Sequence, residues 1–216
     1  MVSAPNNAFR SLYAPGEALL HLDPQDPFWR KAPALHANRD PFGRLSPKLE
    51  TTIRSRWTGE HLYVLFECPY QTLHLKPEPI LHAKTWLLWN WDVVELFIGD
   101  DWEHIERYKE FELSPQGEWL DLAIDRNPPE IERHRAWASG MKTRAHVDEE
   151  RRLWLGAMRI PFASITDAAV GPGKTFRANL YRIEGAPEER RLVAWMATGS
   201  ESFHVPAAFG TLELVV

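Results

Sequence analysis

From residue 51 to the C-terminus, apolar and polar positions alternate in short runs bounded by turn-forming residues, and no long segment repeats at helical spacing. Alternation at period two marks half-buried strands. Residues 51–68, TTIRSRWTGEHLYVLFEC, predict two strands around the turn Thr58-Gly59-Glu60. DVVELFIG (92–99) predicts the next. RYKEFELS (107–114) and EWLDLAID (118–125) predict a hairpin closed by Pro115-Gln116-Gly117. MKTRAHVD (141–148) and LWLGAMRI (153–160) flank one charged tip, FRANLYRI (176–183) and LVAWMAT (192–198) flank another, and TLELVV closes the chain. About ten strands predict an all-β fold, a two-sheet antiparallel β-sandwich in which alternate residues feed one shared core.

The two tips carry the same five letters, Glu149-Glu150-Arg151-Arg152-Leu153 and Glu188-Glu189-Arg190-Arg191-Leu192, while nothing around them repeats. They read as solvated hairpin ends whose charges oppose edge-to-edge pairing. Residues 1–50 show no alternation. They hold PQDPFWRKAP, which predicts an irregular segment wrapped over the sandwich with Phe28 and Trp29 as its anchor. With 216 residues the chain is in the range of one large β domain, so the expected division is an N-terminal extension (1–23) and a single sandwich domain (24–216).

Extended geometry through residues 86–99 puts Trp89, Trp91, Val93, Glu95 and Phe97 on one side and Asp92, Val94, Leu96 and Ile98 on the other. On the neighbouring segments Tyr108, Glu110 and Glu112 oppose Lys109, Phe111 and Leu113, and Trp119 and Asp121 oppose Leu120, Leu122 and Ile124. In FRANLYRI the polar set is Arg177, Asn179 and Tyr181. One sheet is therefore expected to present aromatic rings interleaved with carboxylates, an amide and guanidinium groups. Four of the ten tryptophans fall within residues 86–102, a local crowd that a single core has little reason to build. Such a face suits a sugar, whose C–H patches lie on aromatic rings while its hydroxyls bond to charged and amide groups. The bland alternative is an ordinary solvent face with aromatics chosen for cross-strand pairing.

Charge narrows the partners. The net charge is −5, the isoelectric point is near 6.0, and Lys and Arg are scattered, which leaves no footprint for nucleic acid. There is neither a signal-peptide core nor a membrane-spanning run, so the chain as given is expected to be soluble and cytoplasmic, or exported if a signal was removed. The single Cys68, inside an apolar run, reads as a small buried hydrophobe. No G-x-S-x-G, H-E-x-x-H or glycine-rich phosphate loop supports catalysis; Glu95, Glu110 and Glu112 could in principle supply the two carboxylates of a glycosidase, but a sandwich face holds many acids. Asp100, Asp101 and Glu103 form an oxygen-rich loop, yet without EF-hand spacing. The nine histidines show no zinc spacing.

WDVVELFIG followed by YKEFELSPQGEW, MKTRAHVD with LWLGAMRIPF, FRANLYRIEG and FHVPAAFGTLEL, in that order from about residue 24 onward, resembles the family 9 carbohydrate-binding modules and their stand-alone relatives. The resemblance implies a DOMON-like β-sandwich serving carbohydrate catabolism. Such a module grips a terminal sugar of a glycan, as mono- or oligosaccharide, between two aromatic rings, with no cofactor required and structural calcium in some members. It matches Trp89 to one ring, Glu95 to a hydroxyl-binding carboxylate, and Phe203 to the second ring, where better-studied modules carry tryptophan. Glu112 stands where those modules have a sugar-binding arginine. Trp91, Asn179, Arg182 and His204 are secondary candidates; the opposite parities of Asn179 and Arg182 let both reach one ligand only across a bulge. Two rival readings remain open. DOMON-like folds include b-type cytochrome domains, for which His204 with Met141, Met158 or Met196 would supply axial ligands, and a sandwich without a sugar site would present its aromatic patch to a protein partner.

Overall fold

The computed structural model describes residues 7–128 and 130–216. Thirteen strands run in chain order as β1 (Ala8–Tyr13), β2 (Leu35–Ala37), β3 (Thr51–Trp57), β4 (His61–Pro69), β5 (Val93–Gly99), β6 (Arg107–Leu113), β7 (Trp119–Asp125), β8 (Glu132–His134), β9 (Lys142–Asp148), β10 (Leu153–Pro161), β11 (Thr175–Glu184), β12 (Arg191–Ala194) and β13 (Gly210–Val215). Among the described residues helical structure is confined to short 3₁₀ turns.

Hydrogen bonds link the strands in the order β8-β7-β6-β5-β11-β13-β1-β3-β4-β10-β9, with β12 also on β11 and β2 also on β3. β1 pairs in parallel with both β13 and β3, and the remaining named pairings are antiparallel. The two expected layers are thus halves of one curled ladder joined through β1. Their inner faces share one core: Val94, Leu96, Ile98, Phe111, Phe176 and Leu180 from the first layer pack in the same cluster as Ile53, Val64, Phe66, Trp154, Met158 and Ile160 from the second. This is the interdigitation that makes a sandwich.

Two departures from the sequence reading have clear causes. β1 lies inside the segment expected to be an irregular extension; its inward positions are Phe9 and Ser11, and Ser11 accepts from Ser55 Oγ at 2.8 Å, so a polar residue at a core position erased the alternation. β12 ends at Ala194 rather than reaching residue 198. The N-terminal wrap is otherwise as expected. Trp29 is buried against Tyr63, Leu65 and Ala157 on the outer side of β4 and β10, and its indole N–H donates to His21 O at 2.8 Å. Gly210 has a packing reason: a Cβ there would lie 2.5 Å from Trp195 Cη2 and 2.8 Å from Asn7 O.

Candidate functional site

The outer face of the first layer carries Val93, Glu95 and Phe97 from β5, and register places Glu112 opposite Glu95 and Glu110 opposite Phe97 on β6. β11 sets Tyr181 opposite Glu95 and Asn179 opposite Phe97 on the other side. β7 turns its apolar set, Leu120 and Leu122, to this face, because Leu120 pairs with Glu112 and Leu122 with Glu110. Trp119 therefore points inward, packed on the main core.

Above this floor opens a cleft of about 630 Å³, lined by Trp89, Glu95, Phe97, Glu110, Arg133, Arg190, Phe203 and His204 among others. A second cleft of about 630 Å³, around Asp100, Asp101, Arg107 and Asp125, offers only the edge residue Tyr108 as an aromatic and has a mixed-charge lining. Aromatic rings with convergent polar groups make the first the candidate binding site.

Local structure explains how Trp89 reaches the cleft. It lies in a 3₁₀ turn, Leu88–Asn90, and not in an extended strand. Leu87 precedes that turn at φ 63°, a left-handed conformation that costs a branched side chain about 1 kcal/mol. Leu88 repays part of this by burying itself completely in the apolar cluster beneath the cleft. Asp92 then fixes the entry to β5: its carboxylate accepts from Gly185 N at 2.7 Å and His74 N at 3.1 Å, which ties the loop after β11 to the turn bearing Trp89. Burial nonetheless holds its carboxyl above the ordinary range. Trp89 meets Trp86 edge-to-face at 5.0 Å, and the Arg133 guanidinium sits 5.5 Å from its ring centre.

Phe203 is held as a rigid ring. It stacks on Tyr181 with centroids 4.0 Å apart, and Tyr181 Oη donates to Phe203 O at 3.0 Å. His204 beside it is half-buried and neutral. Arg133 can only donate, so at 3.2 Å it makes His204 Nε2 an acceptor and leaves the ring proton on Nδ1, which donates to Tyr108 Oη at 2.6 Å. Burial, with the Arg133 charge adding to it, brings the imidazole down to about 3.

The floor is acidic and closed off. Glu95 is 2% exposed, Glu110 2% and Glu112 0%. Burial first, and then mutual repulsion, raises the pKa values of Glu95 and Glu112 well above the usual carboxylate range; burial likewise raises Glu110. Apart from a proton that the neighbouring Glu110 and Glu112 can share, one oxygen of Glu95, one of Glu110 and both of Glu112 meet no donor group.

Of the residues expected at a site, Trp89, Glu95, Phe203 and His204 come together here. Three do not. Trp91 turns away and stacks on His74 at 4.6 Å. Asn179 is fully buried and bonded to backbone: its amide N–H donates to Met196 O at 2.8 Å, and its oxygen accepts from Leu180 N and Met196 N. Arg182 lies on the opposite face of β11, donating to Pro69 O at 2.7 Å and paired with Glu184 inside the sandwich; with no bulge in β11, parity excludes it from the cleft. Arg133 and Arg190 were missed. Arg133 rides on the three-residue, wholly polar edge strand β8, and Arg190 belongs to a tip read as solvated, although it donates to Asn90 O at 2.6 Å and lines the cleft.

Axial haem ligation finds no partner for His204. Both ring nitrogens are engaged on the outer face, whereas Met141 and Met158 are buried between the layers and Met196 packs against that same inner core. The acidic loop does not fit calcium either. Asp100 is paired with Lys174 at 2.5 Å and bonded by Thr166, and Asp101 accepts from Glu103 N, His104 N and His104 Nδ1 at 2.9 Å. No helix among the described residues is long and apolar enough to cross a membrane.

Three comparisons bear on this geometry. An extracellular protein of Arthroderma benhamiae is 24% identical over 190 residues, covering 78% of this chain and 80% of its own length. A Bacteroides uniformis protein assigned to carbohydrate binding superposes with a TM-score of 0.73 at 19% identity, over 96% of this chain and 98% of that one. A family 9 carbohydrate-binding module from Caldicellulosiruptor kristjanssonii superposes with a TM-score of 0.65 in its cellotriose complex (12% identity, 96% and 93% of the two chains) and 0.63 in its glucose complex (13%, 95% of each). The profile of the carbohydrate family 9 binding domain-like family matches residues 24–216, which takes in every cleft-lining residue described above, and the chain belongs to that family.

Proposed function

We propose that this domain binds carbohydrate without transforming it, holding a terminal sugar in the cleft between Trp89 and Phe203 with Glu95 as the chief hydroxyl acceptor. The observation that carries this is the meeting of two aromatic rings from separate loops over buried carboxylate oxygens that have no donor of their own. A pyranose supplies what each lacks: C–H faces for the rings and hydroxyl donors for the oxygens. The Nε atoms of Arg133 and Arg190, also without acceptors, add donors at the rim for ring or hydroxyl oxygens. The sugar complexes of the Caldicellulosiruptor module support the ligand class, and the extracellular relative supports export.

The test is tryptophan fluorescence during titration with mono- and disaccharides, in wild type and Trp89→Ala. A saturable change in wild type that vanishes in the variant, with an unaltered melting curve, supports the clamp. A flat response of the folded wild type to every sugar overturns the reading.

A further inference from the structure

We propose that the cleft selects a sugar bearing a protonated primary amine, an amino sugar such as glucosamine, over its neutral counterpart; this rests on the carbohydrate-binding reading above. Glu95 and Glu110 line the cleft, and Glu112, outside the lining, is the cross-strand partner of Glu95 in the β5–β6 ladder. All three are more than nine-tenths buried, and four of their oxygens find no donor in the protein. Neutral hydroxyls would give those oxygens hydrogen bonds but no charge.

The charged neighbours are already committed. Arg133 donates to His204 Nε2 and lies over Trp89, and Arg190 donates to Asn90 O. His204 adds no charge, since its Nε2 serves as an acceptor. An incoming cation would hold these carboxyls ionised against the burial and mutual repulsion that favour their protonated forms, and with both rim guanidiniums committed the fitting group is a compact cation with several N–H donors. An ammonium on a sugar ring is that group, and in a site screened from water it adds ion-pair attraction to the charge-assisted hydrogen bonds that a neutral hydroxyl would also make to a carboxylate. A uronate would bring a further carboxylate to an already acidic, buried floor and is the ligand this arrangement rejects.

Calorimetric titration of the wild type with glucose, glucosamine, N-acetylglucosamine and glucuronate, near neutral pH where a sugar amine is still largely protonated and the raised carboxyls are closest to ionising, tests this directly. Glucosamine is expected to bind roughly tenfold or more tightly than glucose, acetylation to erase the gain, and glucuronate to bind weakest. In Glu110→Gln and separately in Glu112→Gln, the glucosamine-to-glucose affinity ratio should fall toward one. Equal affinity of the wild type for glucose and glucosamine overturns the amine proposal and leaves the sugar site standing. A ratio unchanged in both variants overturns the assignment to these carboxylates. Binding of none of the four sugars overturns the proposal together with the reading beneath it.

Discussion

Asn179 separates a structural from a ligand-binding reading of the β11 strand. β13 pairs with β11 only as far as Ala178 and β12 from Tyr181, with Leu180 O still accepting from Trp195 N at 2.9 Å, so the ladder breaks at Asn179. The Asn179 side chain fills that break. It makes three bonds of 2.8 to 3.0 Å to Leu180 and Met196 backbone groups, and it thereby pins the start of the segment that carries Phe203 and His204. Asn179→Ala leaves two N–H groups and one carbonyl without partners. Each buried orphan costs about 1–3 kcal/mol, but water can reach the half-buried Met196, so the total is about 3 kcal/mol. In a chain of this length that lowers Tm by roughly 6–12 °C. Thermal unfolding, with a sugar titration of the folded variant, reads both quantities. Stability within about 0.5 kcal/mol of wild type, combined with lost sugar affinity, would refute this reasoning and return Asn179 to the ligand.

Arg182→Met removes a buried charge whose partner Glu184 keeps Arg191 at 2.5 Å; stability should drop by about 3 kcal/mol in urea unfolding while sugar affinity stays at the wild-type value. Gly210→Ala should cost about 1–3 kcal/mol, because Trp195 and the Asn7 carbonyl leave no room for a methyl group. The pH response of Glu112 has a definite sign. A carboxyl whose pKa is raised by folding contributes stability fully below its unfolded value near 4.5 and loses it as the pH climbs through the folded value, so wild type should gain stability relative to Glu112→Gln as pH falls from neutrality toward 4.5. His204, held near 3 in the folded state, acts oppositely below 6.5, and it drops out of the comparison because both proteins carry it. Parallel stability curves for the two proteins would contradict a buried ionisable Glu112.

The strands with clean alternation were legible in the sequence: β3 to β7, β9 to β11 and β13 fall where their patterns predict, within one or two residues. What stayed hidden has physical reasons. β1 buries a serine paired with another serine, and β8 is three polar residues at a sheet edge, so neither shows a hydrophobic rhythm. At the site, Glu95 and Phe97 were placed by parity alone, whereas Trp89 reaches the same cleft through a left-handed residue and a 3₁₀ turn that no period-two pattern encodes. That is also why Trp91, correct in parity on an extended chain, lies elsewhere. Asn179 had the right face and the wrong partner, since only the break between β12 and β13 gives its amide a backbone to hold. Arg190 sat in a charged tip whose composition is that of any solvated hairpin end.

The most direct test of the central claim is a crystal structure of the protein soaked with glucose or cellobiose at saturating concentration. The account predicts a pyranose ring in contact with Trp89 and Phe203 and a hydroxyl within hydrogen-bonding distance of Glu95 or Glu110. A sugar bound elsewhere on the sandwich, with this cleft holding only water, would contradict it.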